Sequence, residues 1–369
     1  MIRFRTRPPR PLVEEEPLPA EKAAAAFAGV QAGVLLGDAG QGWHFLLGLC
    51  GLTTGDSILC SPFAGQELLA AVQSLGITPV FADVHPGHFH INPAVAADLL
   101  GQYAREGTPK PKAVVADYLF GGPGDITALG DLCALHNIPL LEDMGNSLGA
   151  GVGAVRAGSL GLARLGEDKI DWGYGSMALV QRREDEAALR RQRRNYPGSK
   201  PQWEEKSQRE VQALLWEKRL PQLAEEVANR QAITARYRQS LGDVMPLQEL
   251  LPNTQSACTR LAVLCPHAHS RDTIALALGA RQIPTGWYHW PQEAQTPILR
   301  EQIAGSRYTR PQKQQAAVTA PKWATATSHT PAATTARALC QRLLLLPIHP
   351  YLNNKTVDYI CQQVLRGLA

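Results

Sequence analysis

The chain has 369 residues, of which 37 are Lys or Arg and 33 are Asp or Glu, giving a formal net charge of +4. This mild balance, with both signs interspersed, does not call for a nucleic-acid partner. The longest apolar stretch near the end, residues 343–348, is far too short to cross a bilayer. The first residues are rich in Arg and Pro and then acidic, unlike a signal peptide. We therefore expect a cytoplasmic protein with no membrane partner.

Cysteine and histidine spacing indicates no metal centre. The seven cysteines are odd in number and none forms a CxxC pair, so neither a zinc site nor a disulfide framework is indicated. Several lie within apolar runs, as free thiols of a reducing compartment do. His85, His88 and His90 are close in sequence but lack a second ligand group. We expect no bound metal.

The length predicts two domains, because one hydrophobic core stops growing below this size. Residues 1–26, largely Pro-rich and irregular, are interpreted as an N-terminal extension. Residues 27–245 are predicted to form a large α/β domain. Residues 246–369 are predicted to form a smaller α+β domain.

The large domain alternates short apolar strands with helices. Strands are predicted at 33–36, 57–60, 78–81, 113–116 and 139–141, and helices at 65–75, 93–104, 125–136, 184–195 and 207–240. Continuous apolar strands joined by helices are typical of a parallel sheet covered on both faces. The helix at 207–240 has an amphipathic pattern, and the apolar positions assigned to its buried side are Leu214, Leu215, Leu220, Leu223 and Val227.

The small domain has a sparser pattern of elements. Strands are predicted at 261–264 and 343–346, and helices at 270–279 and 354–367. Residues 305–337 are rich in Gln, Thr, Ala and Pro and are predicted to form a loop.

The candidate site begins at residues 140–143 (LLED), a strand that ends in two acidic residues. Lys169 follows Asp143 by 26 residues, and the small residues between them allow close approach of a flat ligand. Pyridoxal phosphate (PLP) requires a lysine for its aldehyde and a carboxylate for its pyridine nitrogen. Ligands of parallel sheets lie outside the carboxyl ends of the strands, where Asp143 and the loop at 38–42 are expected. The alternative is that Asp143 only caps a turn and Lys169 is a solvated surface group.

Sequence blocks across most of the chain carry a resemblance to a known family. Residues 55–59 (GDSIL) with 76–83 (GITPVFAD) follow the family's GDEVI and GATPVFVD. Residues 119–125 (LFGGPGD) resemble LYGQPAD, and residues 141–150 (LEDMGNSLGA) resemble IEDAAQAHGA. Two later blocks, 281–289 and 346–352, match in the same order. The chain resembles the DegT/StrS family of PLP-dependent sugar aminotransferases. The resemblance implies the fold type I architecture, with a large domain built on a mostly parallel seven-stranded sheet and a small α+β domain.

The resemblance also implies roles for individual residues. Lys169 corresponds to the catalytic lysine and Asp143 to the partner of the pyridine nitrogen. The remaining residues implied to bind the cofactor are Asn146, Gly40, Gln41, Gly42, Arg164 and Phe63. The chain departs from the family where Arg164 replaces a phosphate-binding serine and where the loop at 39–42 lacks a threonine. Gly65 matches the aromatic residue that stacks on the ring, so Phe63 would have to supply that contact.

Two functions follow from the resemblance. The first is a PLP-dependent aminotransferase that moves an amino group from a donor to a nucleotide-linked keto sugar or a similar small carbonyl substrate, working as a homodimer. The second is a catalytically inactive relative that keeps the fold for binding or scaffolding.

Overall fold

The structure is a computed structural model that describes residues 16–37, 39–145, 147–150, 160–164, 175–194, 202–289, 298–302 and 333–368. The helices are α1 (Pro19–Ala28), α2 (Ala39–Leu49), α3 (Gln66–Ser74), α4 (Pro93–Glu106), α5 (Ile126–His136), α6 (Arg183–Arg194), α7 (Gln202–Leu241), α8 (Ala268–Gly279), α9 (Thr334–Arg342) and α10 (Asn354–Leu368). The strands are β1 (Ala32–Leu36), β2 (Ser57–Cys60), β3 (Thr78–Phe81), β4 (Val114–Asp117), β5 (Leu140–Gly145), β6 (Leu160–Arg164), β7 (Ser176–Val180), β8 (Leu261–Leu264), β9 (Thr285–His289), β10 (Ile298–Gln302) and β11 (Leu343–Leu346).

The larger sheet has the strand order β1-β7-β6-β5-β4-β2-β3. Strands β2 to β6 pair in parallel with one another, whereas β7 is antiparallel to both β6 and β1. Apolar side chains fill both faces of this sheet, which explains the unbroken hydrophobic runs of its strands. The predicted α/β fold with a mostly parallel seven-stranded sheet is therefore confirmed.

The smaller sheet, with the order β10-β9-β11-β8, is antiparallel throughout the described residues. Helices α8 and α10 pack together beside it, and the C-terminal part of α7 completes their core through Tyr237 and Leu241. The small α+β domain is thus present. The predicted domain boundaries remain predictions, although α1 begins inside the expected extension and buries Ala20 and Ala24 in the core of the large sheet.

Two predictions of local structure are wrong. Helix α9 begins at Thr334, so the end of the segment 305–337, predicted to form a loop, is helical, whereas residues 305–332 lie outside the described residues. The helix starts there because the buried carboxylate of Asp83 accepts hydrogen bonds from the amides of Thr335 (2.9 Å) and Ala336 (3.0 Å). This distant cap is absent from the local sequence. Leu214 is 63% exposed rather than buried. It lies six residues before Leu220, about 120° around the helix, so Trp216 takes the buried position instead.

The seven cysteines are all free thiols, and six of them are buried. No helix among the described residues is long and apolar enough to span a membrane.

A buried ion cluster joins α1, β1 and α6. The Glu21 side chain has no exposed surface, and its carboxylate accepts hydrogen bonds from the Leu35 amide (2.8 Å) and the Arg190 guanidinium (2.8 Å). Arg193 donates to the Leu35 carbonyl oxygen beside them. Arg190 also pairs with Glu186 (3.0 Å) and Glu21 with Arg193 (3.7 Å), so the loss of one member leaves a buried charge that is only partly compensated.

We expect Glu21→Ala to lower the free energy of unfolding by about 3 kcal/mol, because Arg190 stays buried with less compensation. Urea unfolding followed by circular dichroism measures this loss. Asp358→Ala is the matched control, since Asp358 also pairs with an arginine (Arg236, 2.6 Å) but is 41% exposed. The control should lose much less stability, and equal losses would contradict the assignment of the buried cluster as the stabilising one.

Candidate active site

The candidate site lies at the carboxyl edge of the large sheet. Strands β2, β4, β5 and β6 end there because they are parallel. Strand β1 ends there too, since it is antiparallel to β7, which is itself antiparallel to β6. Ser176 at the start of β7 is paired with Leu36 on one side and with Arg164 on the other. The loops that follow these strands therefore share one edge of the molecule.

Asp143 stands near the end of β5 and points to the face covered by α2 and α3. This orientation follows from the two-residue alternation of a strand, because Leu141 packs in the core on that face. One carboxylate oxygen, Oδ1, accepts a hydrogen bond from the Gly145 amide at 3.1 Å. A Cβ atom on Gly65, at the start of α3, would lie 3.4 Å from the other oxygen, Oδ2. The absence of a side chain at Gly65 leaves room beside the Asp143 carboxylate.

Asp117 is a second carboxylate on the same face. It is paired with Asp143 across the parallel strands β4 and β5. Its side chain is buried, and neither carboxylate oxygen has a hydrogen-bond donor in bonding geometry among the described residues. Burial raises the pKa of Asp117 to about 7, the negative charge of Asp143 adds to the rise, and the nearby Ser61 hydroxyl opposes it.

The sequence analysis missed Asp117. The signal that could have identified it is its position, since it follows an apolar strand as Asp143 does, and neighbouring parallel strands end together.

The first turn of α2 forms the next part of the edge. Helix α2 begins at Ala39, shortly after β1, so Gly40, Gln41 and Gly42 lie in its first turn, where backbone amides point out of the helix end. Such amides form an anion site. The Gln41 side chain lies over Gly37, where a Cβ atom would come within 1.7 Å of its Oε1. This geometry is compatible with the predicted phosphate contact of residues 40–42, which remains a prediction.

Phe63 lies away from the Asp143 carboxylate, in an aromatic cluster beneath the small domain. Its ring meets the ring of Tyr288 edge to face, with 4.9 Å between centroids, and the side chain is buried. Phe120 and Phe89 extend the same cluster. Gly65, rather than Phe63, borders Asp143 in the structure. The proposed stacking of Phe63 on a bound ring remains a prediction.

Three predicted site residues are described in part or not at all. Lys169 and Asn146 lie outside the described residues. The backbone of Arg164 is described and its side chain is not. Arg164 and Ser176, the described strand residues on either side of Lys169 in sequence, are paired with each other at the edge that carries Asp143.

Comparison with solved structures identifies the class of fold. A DegT DnrJ EryC1 StrS aminotransferase from Brucella abortus superposes with a TM-score of 0.74 at 20% identity, and the match covers 94% of this chain and 88% of that chain. The fold is that of the fold type I PLP-dependent transferases. The chain also matches the DegT/DnrJ/EryC1/StrS aminotransferase family over residues 18–166 and 189–309, and it belongs to that family. PLP is the cofactor of the family.

Two relatives show how far the sequence match extends. The "Pleiotropic regulatory protein" of Geobacillus stearothermophilus is 26% identical over 50% of this chain and 48% of its own length. The dTDP-4-dehydro-2,3,6-trideoxy-D-glucose 4-aminotransferase of Saccharopolyspora spinosa is 26% identical over 86% of this chain and 79% of its own length. The chain thus spans about half the length of some curated relatives and most of the length of others.

Two glycines at this edge should respond differently to substitution. We expect Gly121→Ala to cost more than about 2 kcal/mol, because its φ is +94° and a Cβ atom would lie 2.5 Å from the Thr259 backbone nitrogen. Gly65→Ala should change stability by less than about 1 kcal/mol, since its φ is −60° and its new contacts are ordinary ones at 3.4 Å. Thermal unfolding of both variants tests the contrast, and a tolerated Gly121→Ala would show that this turn adjusts.

Proposed function

We propose that the protein is a PLP-dependent aminotransferase in which Lys169 is the catalytic lysine and Asp143 binds the ring nitrogen. One observation carries the proposal. The Asp143 carboxylate and the first turn of α2 lie at one sheet edge and on one face, and the described strand residues that flank Lys169 in sequence are paired at that edge.

The residues present fit the cofactor. A carboxylate with room beside one oxygen suits a protonated ring nitrogen, and a helix N-terminus suits a phosphate. When bound, PLP supplies an electron sink for the bonds at the α-carbon of the amino substrate. Asp143 would hold a proton on the ring nitrogen by its negative charge, and the amides of residues 40–42 would hold the phosphate in place. Lys169 would act as the general base that removes the proton of the substrate α-carbon.

The substrate class follows from the relatives that match over most of their length. Their names specify nucleotide-linked keto sugars, such as the dTDP-linked sugar of Saccharopolyspora spinosa and a UDP-linked 3-oxo-glucuronate in Pseudomonas aeruginosa. We infer that the acceptor is a nucleotide-linked keto sugar and that a small amino compound is the donor. We also propose that the protein works in the cytoplasm, where such substrates are made.

A non-catalytic binding role is the second candidate. Gly65 in place of a ring-stacking aromatic residue and Arg164 in place of a phosphate-binding serine favour it. The retention of both Asp143 and Lys169 favours catalysis, because a binding protein needs neither group.

Substitution at Lys169 separates the two candidates. We expect the purified protein with PLP to absorb visible light at about 400–430 nm, a property of lysine-bound cofactor. Lys169→Ala should abolish this absorbance and transamination together, because no other group takes the place of the amine. Lys355→Ala, at an exposed position on α10, should leave both unchanged. Asp143→Asn should keep the absorbance and lose most of the rate, since a neutral amide does not hold the ring proton. Unchanged absorbance and turnover in Lys169→Ala would exclude the proposed chemistry.

We propose that the protein is a homodimer, since a two-fold dimer is the commonest closed assembly. Val211 and Leu214 on α7 are 55% and 63% exposed, and large apolar side chains at such exposure are suited to a subunit contact. Sedimentation velocity at micromolar concentration should give a single species of twice the chain mass of 40.1 kDa. A stable interface of this kind buries more than about 1,000 Å². A monodisperse monomer would contradict the proposal.

A further inference from the structure

Asp117 is a buried carboxylate at the edge of the large sheet to which the proposed mechanism gives no role, and it differs from the buried Glu142, which accepts a hydrogen bond from the Tyr118 hydroxyl. Its oxygens are enclosed and lack a hydrogen-bond donor in bonding geometry among the described residues. A buried ionised carboxylate without donors is strongly disfavoured, so a fold retains one only where something offsets the cost. The burial and the missing donors point to a ligand or a proton as the partner of Asp117.

The surroundings of Asp117 are acidic. Asp143 is its paired neighbour on β5, and Glu67 on α3 lies near Asp143, since the Glu67 Oε2 and the Asp143 Oδ2 are both 3.4 Å from the position of a Cβ atom on Gly65. The thiol of Cys60 at the end of β2 and the neutral hydroxyl of Ser61 just after it also face this region. Burial raises the pKa of Cys60, and the negative charge of Asp117 raises it further. Two carboxylates on paired neighbouring strands, whose backbones lie about 4.8 Å apart, do not readily carry two negative charges together.

We propose that Asp117 is a positioning residue for the cofactor's ring nitrogen. In the cofactor-free protein it is a neutral, protonated carboxyl group beside the ionised Asp143, and it gives up its proton when the protonated ring nitrogen is bound at Asp143. The ligand in this inference rests on the proposed function. The protonation of Asp117 does not, because it follows from the pairing and burial of the two carboxyl groups.

The proton balance is the same by either route. The O–H bond of Asp117 breaks, and the proton goes to the ring nitrogen if that nitrogen arrives neutral, or to solvent if it arrives as a cation. Asp117 is left with one negative charge in both cases. The bound cation then faces two carboxylates, which attract it more strongly than Asp143 alone. Binding of the cofactor is therefore linked to the protonation of Asp117.

The first experiment uses the cofactor-free protein. Burial raises the pKa of Asp117 to about 7 from its ordinary value, so the folded state holds a proton that the unfolded state has lost between about pH 4 and pH 7. Stability contributed by this group therefore falls as pH rises through that range. Asp117→Asn removes the ionisation. The Tm of the variant minus the Tm of the wild type should therefore increase by several degrees as the pH is raised to about 7, and it should stay constant above that pH. Asp131→Asn, at an exposed position on α5, should show no such slope.

The second experiment measures proton exchange on binding of PLP. Calorimetry in two buffers of different ionisation enthalpy gives the number of protons released. At about pH 6 the wild type should release about one proton more than Asp117→Asn, and the difference should vanish above about pH 8. If Asp117→Asn does not fold, the comparison with this variant is replaced by an infrared measurement of the protonated carboxyl band in the wild type. That band should be lost as PLP binds. When pH is raised without PLP, the band should be lost at lower pH in Asp143→Asn than in the wild type, because the negative charge of Asp143 is gone.

The outcomes separate this inference from the proposed function. A Tm difference that is independent of pH would show that Asp117 is ionised, and would overturn the inference even if PLP binds and the protein is active. The Tm difference could change with pH as expected while the wild type and Asp117→Asn release equal numbers of protons on binding PLP. That result would overturn the link between Asp117 and the ring nitrogen. Absence of PLP binding to the wild type would overturn the proposed function and that link together, and the slope would then support only the proton on Asp117.

Discussion

Strand β7 runs antiparallel to both of its neighbours, and the place of every candidate site element follows from that pairing. A second reversal of direction, between β7 and β1, returns β1 to the direction of β5 and β6. The end of β1, and with it the first turn of α2, therefore reaches the edge where Asp143 stands. With β1 in the opposite direction, the amides of α2 would lie at the other edge, about five residues of extended chain away. The buried Glu21 cluster holds β1 in this position through the Leu35 amide.

At this edge, the buried carboxylates on the two faces of the sheet differ in their hydrogen-bond donors. Glu142 is fully buried, and the Tyr118 hydroxyl donates to it at 2.6 Å, so its polar group is satisfied within the protein. Asp117, on the neighbouring strand and the opposite face, has among the described residues only the nearby Ser61 hydroxyl, which is not in hydrogen-bond geometry and opposes the rise in the pKa of Asp117. A polar group that the fold satisfies belongs to the architecture, whereas one that it leaves unsatisfied marks a place where another molecule or a proton takes part. The contrast supports the proposed site on the face of α2 and α3.

The sequence alone predicted the elements whose signals are local. Apolar runs and turn residues located the strands from β1 to β5 and most helices, because each such element is largely determined by its own residues. Features that depend on distant partners were missed. Helix α9 needs Asp83, and the pairing of Asp117 with Asp143 needs the register between two strands. Leu214 and Trp216 could not be ranked without knowing which side of α7 faces the core. The roles of Lys169 and Asn146 came from family resemblance and remain predictions.

The small domain is anchored to the same loops that form the site. Gln248 donates its side-chain amide to the carbonyl oxygens of His88 (3.0 Å) and Leu119 (3.3 Å), which follow β3 and β4. Phe63, which follows β2, packs on Tyr288 of β9. Because Phe63 is two residues from Gly65, this contact fixes the chain beside the Asp143 carboxylate. The width of the space above Asp143 is thus set by packing between the domains as well as by the sheet. A substitution at Tyr288 would therefore act on the site through Phe63 and Gly65, without touching either carboxylate.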